Sequence, residues 1–196
     1  MIKIIDDFYE DPDQIRNMAL SSKYELISSG NYIGRDTIDR NIRFTQMNRI
    51  YSMFPDKTMV CSRFRSAVHG DTHLSFIHVD SDELNAGWHV LVYLSKDTCT
   101  DGLAIYNIDP IQTTPYKVYP EEAEPSQVIE YKYNRAVILD YGIPHSPLNH
   151  TGFGIDIATS RLMHIVEICD PNTSHYKYRM SCPGACVTTH DHPYAR

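Results

Sequence analysis

The sequence predicts a mainly β fold, a sandwich, jelly roll or barrel, preceded by a short strand and a helical segment. Three observations predict it. From Thr58 onward the chain breaks into short alternating or apolar runs separated by turn signals. The strongest of these, Trp88-His89-Val90-Leu91-Val92-Tyr93-Leu94-Ser95, is rich in the branched and aromatic residues that fit a pleated surface. The only strong helical start, Asp11-Pro12, lies near the N-terminus.

Taken in order, Ile2 to Ile5 reads as a strand. Asp11 then serves as N-cap and Pro12 as first helical residue, with Ile15, Met18 and Ala19 forming an apolar stripe that ends near Lys23. Residues 28–41 are rich in Ser, Gly, Asn, Asp and Arg and read as a surface loop. Ile42 to Phe54 has helical spacing. Met59–Arg65 and Thr72–Asp80 alternate as strands, and Asp101-Gly102 marks a turn before Leu103–Tyr106. Residues 109–126 read as a long loop. Gln127–Tyr133, Ala136–Leu139 and Leu162–Ile168 complete the strands, and 171–196 has no clear period. No internal repeat is present. One domain is expected, with residues 1–58 as an N-terminal extension, 59–170 as the core and 171–196 as a tail.

Bulk composition narrows the function. With 196 residues the chain can bury a core without covalent staples. A formal net charge of −7 gives no basic footprint for duplex nucleic acid. No apolar run approaches the ~18 residues that span a bilayer. The opening Met-Ile-Lys-Ile-Ile-Asp-Asp turns acidic at once and lacks a signal-peptide pattern, so a cytoplasmic protein is expected. Five scattered cysteines, an odd count, suit reduced thiols better than a disulfide framework.

The chemistry begins at Phe76-Ile77-His78-Val79-Asp80. On a strand His78 and Asp80 point to one face, an imidazole and a carboxylate one repeat apart, able to hold two corners of a metal's coordination sphere. A bare His-x-Asp decides little, since about one is expected by chance at this histidine content, and a histidine on an apolar strand is more often a hydrogen-bonded core residue. A second such triplet, His69-Gly70-Asp71, carries a glycine at its centre and marks a bend. The third donor comes from Ala136-Val137-Ile138-Leu139-Asp140-Tyr141-Gly142-Ile143-Pro144-His145. Here an apolar strand ends, a tight turn follows, and Pro144 stiffens the approach to His145. His150 competes for this role but lies further into the loop. Two neutral imidazoles and one carboxylate with open positions suit non-haem Fe(II).

With these elements in place the chain resembles the Fe(II)/2-oxoglutarate-dependent oxygenase superfamily, in particular bacterial and phage-like members with a prolyl-hydroxylase-like core. Ile77-His78-Val79-Asp80-Ser81 looks like its first metal element, Val90–Ser95 like the strand that follows, and Ser160-Arg161-Leu162 like its arginine element. Asp101–Tyr106 stands where many members have a Gly-Gly turn. The resemblance implies a double-stranded β-helix, with His78, Asp80 and His145 as metal ligands and Arg161 binding the far carboxylate of 2-oxoglutarate. It implies that O2 is consumed, that 2-oxoglutarate leaves as succinate and carbon dioxide, and that a substrate C–H bond is hydroxylated. The gap from His145 to Arg161 is long for the superfamily, and residues 151–159 read as an inserted loop. Met163 stands where several subfamilies have Ser, so a second partner for the carboxylate must come from elsewhere, with Tyr93 as the candidate.

The substrate is not written in the residues. A peptide or protein side chain is the first expectation, followed by a small molecule or a nucleobase. Tyr32, Tyr106, Tyr116, Tyr119, Tyr131, Tyr133 and Tyr141 lie in or near loops and strand ends, where any could line a groove, and Asn31–Asp36 is a candidate lid. Two rival readings are a cupin-type metalloenzyme without 2-oxoglutarate and a non-catalytic jelly-roll binding protein. His175, Cys182, Cys186 and His190 could bind zinc, although Cys-x3-Cys is not among the strong spacings, and a loosely packed tail is the simpler reading.

Overall fold

The structure, a computed structural model, describes residues 1–27, 34–71, 76–81, 83, 86–96, 101–109, 122–149 and 151–181. Its elements in chain order are β1 (Ile2–Ile5), α1 (Pro12–Ser21), β2 (Tyr24–Leu26), β3 (Arg35–Thr37), a 3-10 turn (Thr45–Met47), α2 (Asn48–Met53), β4 (Thr58–Ala67), β5 (Gly87–Tyr93), β6 (Gly102–Ile105), β7 (Gln127–Glu130), β8 (Ala136–Asp140), β9 (His145–Pro147), β10 (Arg161–Cys169) and α3 (Ser174–Ser181).

The strands form two antiparallel sheets. The larger has the order β1-β8-β5-β10-β4-β3-β2 and the smaller β7-β6-β9. An isolated bridge between His78 and His145 adds a fourth segment to the small sheet beside β9. The segment 72–80, read as a regular strand, is therefore only a bridge around His78 with a bend at Asp80, and residues 72–75 lie outside the described set.

Strand alternation divides the core in two. One face of the large sheet carries Phe64, Val90, Val92, Ile138, Leu162 and Val166 against Phe8, Ile15 and Ala19 of the N-terminal segment. The opposite face carries Leu91, Tyr93, Val137, Leu139 and Ile165 against Leu103, Ile105, Ile129 and Tyr131 of the small sheet and its flank. Each such side chain contributes about 1.5–3 kcal/mol on burial. β10 sits between β5 and β4 and is covered on both faces, which accounts for its apolar run Leu162–Ile168. This two-sheet β arrangement is the mainly β fold read from the sequence.

The N-terminal segment is pinned as well as packed. Asp11 accepts from the Gln14 N–H at 2.9 Å and caps α1, and Pro12 stands in the first turn. Asn134 adopts a left-handed turn (φ 60°) from which its side chain exchanges two hydrogen bonds with the Tyr9 backbone, at 2.8 and 2.9 Å.

Three expectations are corrected. Residues 35–37 are not loop but a short strand paired with β4 on one side and β2 on the other, held by the buried Asp36 carboxylate, which accepts from Arg65 at 2.6 and 2.8 Å and from Arg40 at 2.6 Å. Asp36 is thus a core ion-pair member and not part of a lid; residues 31–33 lie outside the described set. The start of the tail is helical, because Glu83 accepts from the Ser174 and His175 N–H groups at 3.0 and 2.8 Å and supplies a cap distant in sequence. Cys61 is disulfide-bonded rather than reduced, whereas Cys169 is free and buried. Among the described residues no helix is long and apolar enough to cross a membrane.

Candidate metal centre between the two sheets

His78 and His145 face each other across the bridge that joins their segments. The His78 N–H donates to the His145 carbonyl at 3.0 Å and the His145 N–H returns the bond at 2.9 Å, bringing the ring centroids to 4.4 Å. Each imidazole is also fixed by a backbone carbonyl two residues upstream: Phe76 O lies 3.2 Å from His78 Nδ1, and Ile143 O lies 2.8 Å from His145 Nδ1. A carbonyl only accepts, so Nδ1 carries the hydrogen in both rings and Nε2 presents its lone pair. Such bonds set the tautomer and orientation of a ligating histidine.

Both Nε2 atoms look toward Asp80, which lies in the bend held by its N–H donating to Tyr141 O at 2.7 Å. His78 Nε2 is 3.9 Å from Asp80 Oδ1, and His145 Nε2 is 3.7 Å from Oδ2. One donor atom from each of the three residues falls within 4.8 Å of the others. Burial pushes the His78 pKa down to about 3, with His145 adding to the effect and Asp80 opposing it. Burial likewise lowers His145. Burial pushes the Asp80 carboxyl up, but its electrostatic and hydrogen-bonding interactions with the surrounding histidine rings outweigh this and hold the group well below the usual carboxylate range. The result is two neutral imidazoles and one carboxylate. Asp80 Oδ2 is buried, and His89 Nδ1, 3.1 Å away, stands off the line of a full hydrogen bond to it. A buried carboxylate in that state is costly unless a cation meets it, so the donor set fits a divalent metal of the kind that imidazole and carboxylate favour.

The cavity beside these residues, about 90 Å³, runs between the sheets to Arg161 and Tyr93. Arg161 opens β10, is 5% exposed, and places Nη1 3.2 Å from Asp101 Oδ2; its Nε and the Tyr93 hydroxyl are buried without a hydrogen-bond partner. Burial raises the Tyr93 pKa, so the phenol keeps its proton and can donate. A buried guanidinium N–H and a buried phenol aimed into one cavity can receive a carboxylate. The start of β10 is clamped in place. Ser95 Oγ accepts from the Leu162 N–H at 2.9 Å and donates to Ser160 O at 2.5 Å, while the Tyr131 hydroxyl donates to Leu162 O at 2.5 Å and stacks its ring on Tyr93 at 4.1 Å. Gly102 lines the same cavity, and there a Cβ would stand 2.2 Å from Ile129 O.

The structure thus brings His78, Asp80 and His145 together and sets Arg161 and Tyr93 at the other end of one cavity. His150, the rival distal donor, lies outside the described residues, as do Cys182, Cys186, His190, Tyr32, Tyr116 and Tyr119. The second His-x-Asp is a turn: Gly70 has φ 91°, and Asp71 pairs with Arg35 at 2.6 Å and accepts from the Val68 N–H. Tyr106, Tyr131 and Tyr141 are buried packing residues, and the Tyr133 hydroxyl bonds to Asp13.

Four charged or ionisable side chains on the cavity wall or directly behind it were not singled out from the sequence: Arg63, Arg65, His89 and Glu167. Strand parity could have found them. His89 shares its face with Leu91 and Tyr93, and Glu167 shares its face with Arg161, Met163 and Ile165. A charge interrupting an otherwise buried run needs a partner.

Comparisons with solved structures place this fold among the Fe(II)/2-oxoglutarate oxygenases. An oxidoreductase of the 2OG-Fe(II) oxygenase family from Burkholderia pseudomallei aligns with a TM-score of 0.57 at 8% identity, over 86% of this chain and 85% of that one. HygX from Streptomyces hygroscopicus, solved with nickel and 2-oxoglutarate bound, aligns with a TM-score of 0.55 at 10% identity over 89% and 84%. A prolyl hydroxylase from Trichoplax adhaerens, in complex with a hypoxia inducible factor peptide fragment, aligns with a TM-score of 0.51 at 16% identity over 92% and 86%. No family model matches the chain, and no curated protein matches it in sequence. The chain therefore shares its mainly β fold of two antiparallel sheets with these oxygenases.

Proposed function

We propose that the chain is an Fe(II)- and 2-oxoglutarate-dependent dioxygenase that hydroxylates a C–H bond. His78, Asp80 and His145 would hold the iron, and Arg161 with Tyr93 would hold the far carboxylate of 2-oxoglutarate. The observation that carries this reading is the pairing of two complementary ends in one cavity. At one end stand two imidazoles with Nε2 turned inward and a carboxylate oxygen that lacks an aligned donor. At the other stand a buried guanidinium Nε and a phenol that lack an acceptor.

When bound, iron and 2-oxoglutarate supply the oxidising chemistry, with O2 as oxidant and succinate and carbon dioxide as co-products. The residues of the chain do the rest. The carbonyls of Phe76 and Ile143 hold the two imidazoles in the ligating tautomer. The Ser95–Tyr131 clamp fixes where Arg161 enters the cavity. Leu103 and Met163 on the cavity wall, with Val137 and Leu139 behind them, keep water from the space between the two ends.

A cupin-type metalloenzyme without 2-oxoglutarate would leave the Arg161 and Tyr93 donors with no function, and a non-catalytic binding protein would leave the three-donor cluster unused. For the substrate, a peptide or protein side chain is the favoured class, supported by the Trichoplax adhaerens prolyl hydroxylase, which was solved with a peptide. The experiment is a crystal grown with Mn(II) and 2-oxoglutarate. Anomalous density is expected among His78, Asp80 and His145, with the far carboxylate on Arg161. A metal bound elsewhere, or by His150 in place of His145, would overturn the ligand set.

A further inference from the structure

We infer that His89 is a positioning residue for Asp80, a proposal that rests on the metal-centre reading above. His89 lies on β5, four residues before Tyr93 and on the same face, and is buried. Its Nδ1 stands 3.1 Å from Asp80 Oδ2. On its other side Nε2 faces Glu167 Oε1 at 3.7 Å, because His89 and Glu167 are direct cross-strand partners on β5 and β10. The ring is held edge-on against Tyr141, with centroids 4.9 Å apart.

Glu167 is itself anchored. Arg63 donates to its Oε1 at 2.5 Å, and Arg179 of α3 donates to its Oε2. A buried glutamate at the end of an apolar run is costly without such partners, and here two guanidiniums fix the side chain that stands behind His89. The chain of contacts Asp80–His89–Glu167–Arg63/Arg179 therefore runs from the metal cavity into the large sheet and out to α3.

His89 is not a fourth member of the donor set. The three donors that fall within 4.8 Å of one another are those of His78, Asp80 and His145, and the His89 nitrogen is turned to the carboxylate. A carboxylate that ligates through one oxygen needs a donor for the other, or it rotates and loses its aim. The Asp80 N–H bond to Tyr141 O fixes the backbone but not the carboxylate plane. Among the described side chains around Asp80, His78 and His145 turn their Nε2 lone pairs toward it and can offer it no hydrogen, whereas His89 Nδ1, 3.1 Å from Oδ2 and off the line of a full hydrogen bond, is the group placed to align with the carboxylate and set that plane.

The test uses the full chain and Mn(II), titrated by the loss of the free-ion electron paramagnetic resonance signal. His89→Leu and His89→Phe remove the donor and are expected to weaken Mn(II) binding by about 10–100-fold, the range for an outer partner of a metal ligand. His89→Asn replaces Nδ1 by an amide nitrogen at the same branch and is expected to restore most of the affinity. Glu167→Gln should give a loss of about threefold, smaller because it acts through His89. Circular dichroism and thermal unfolding of the metal-free proteins identify variants that fail to fold. If neither donor-less variant folds, Glu167→Gln decides, and unchanged affinity there overturns the proposal. Folded His89→Leu or His89→Phe protein with wild-type affinity overturns it while leaving the metal centre standing. Wild-type protein that binds no Mn(II) overturns the metal centre and this proposal with it.

Discussion

His78 and His145, far apart in the chain, exchange a reciprocal pair of backbone hydrogen bonds, and that bridge sets their imidazoles 4.4 Å apart on one side of the cavity. The spacing of the two rings is thus fixed by main chain rather than by side-chain packing. A pair of ligands fixed this way needs little reorganisation to accept a metal.

Replacing any proposed ligand should abolish metal binding without unfolding the chain. Asp80→Ala and His145→Ala are each expected to lower Fe(II) or Mn(II) affinity by at least about 100-fold, since a buried chelating group is lost outright. Calorimetric titration under anaerobic conditions reads this. His150→Ala should leave affinity near wild type, and a large loss there would reassign the distal ligand.

Arg161→Leu should weaken 2-oxoglutarate binding by about 10–100-fold, the worth of a charge-assisted hydrogen bond or two. Metal affinity should hardly change, because Arg161 lies at the other end of the cavity. Tyr93→Phe removes one neutral donor and should cost less, about three- to tenfold. The concentration dependence of succinate formation measures both. Equal 2-oxoglutarate dependence in wild type and Arg161→Leu would favour a metalloenzyme that does not use it.

Gly102→Ala should destabilise the fold and damage the cavity together. The added methyl would meet Ile129 O at 2.2 Å across the β6–β7 pair, and backbone cannot move aside cheaply. A loss of about 1–3 kcal/mol is expected for such overpacking, read as a lower thermal midpoint. An unchanged midpoint would mean that the small sheet yields more readily than its register implies.

His164 makes the protein sensitive to acid. It is buried on the helix side of the large sheet, between the Tyr9 hydroxyl at 2.8 Å and Ser62 Oγ at 2.9 Å, and burial lowers its pKa to about 3, with Arg63 and Arg43 contributing. Below its unfolded value of 6.5 the unfolded chain takes up the proton and the folded chain does not. Stability supplied by the neutral ring is therefore complete above about 6.5 and declines as pH falls toward about 3. His164→Gln should flatten the stability–pH curve of the metal-free protein over that window by up to one proton. Denaturant unfolding at several pH values checks the slope.

The sequence carried the fold where local pattern and tertiary environment agree. β10 was legible because it is buried on both faces, and its apolar run says so. The helix at Pro12 was legible because its cap is local. β3 was not, since Arg35–Thr37 is polar and becomes a strand through ion pairs that Asp36 makes with β4. Nor was α3, which has no apolar stripe; Glu83 caps its start and Glu167 receives its Arg179. At the candidate centre, His78, Asp80 and His145 stand out in the sequence as potential donors, although the segment carrying His78 and Asp80 is a bridge and a bend rather than a regular strand, and Arg161 and Tyr93 enter through the family resemblance alone. His89 is not legible as a site residue because it sits inside the strongest β run of the chain, where strand propensity accounts for the segment without any role for an imidazole.

The measurement that bears most directly on the proposed activity is an anaerobic titration of the purified chain with Fe(II) and 2-oxoglutarate, followed in the visible range. A charge-transfer band is expected only when both are present, because it requires the co-substrate to chelate iron held by the protein. It should be lost in Asp80→Ala and need more 2-oxoglutarate in Arg161→Leu. Full loading with both components and no such band would contradict the account.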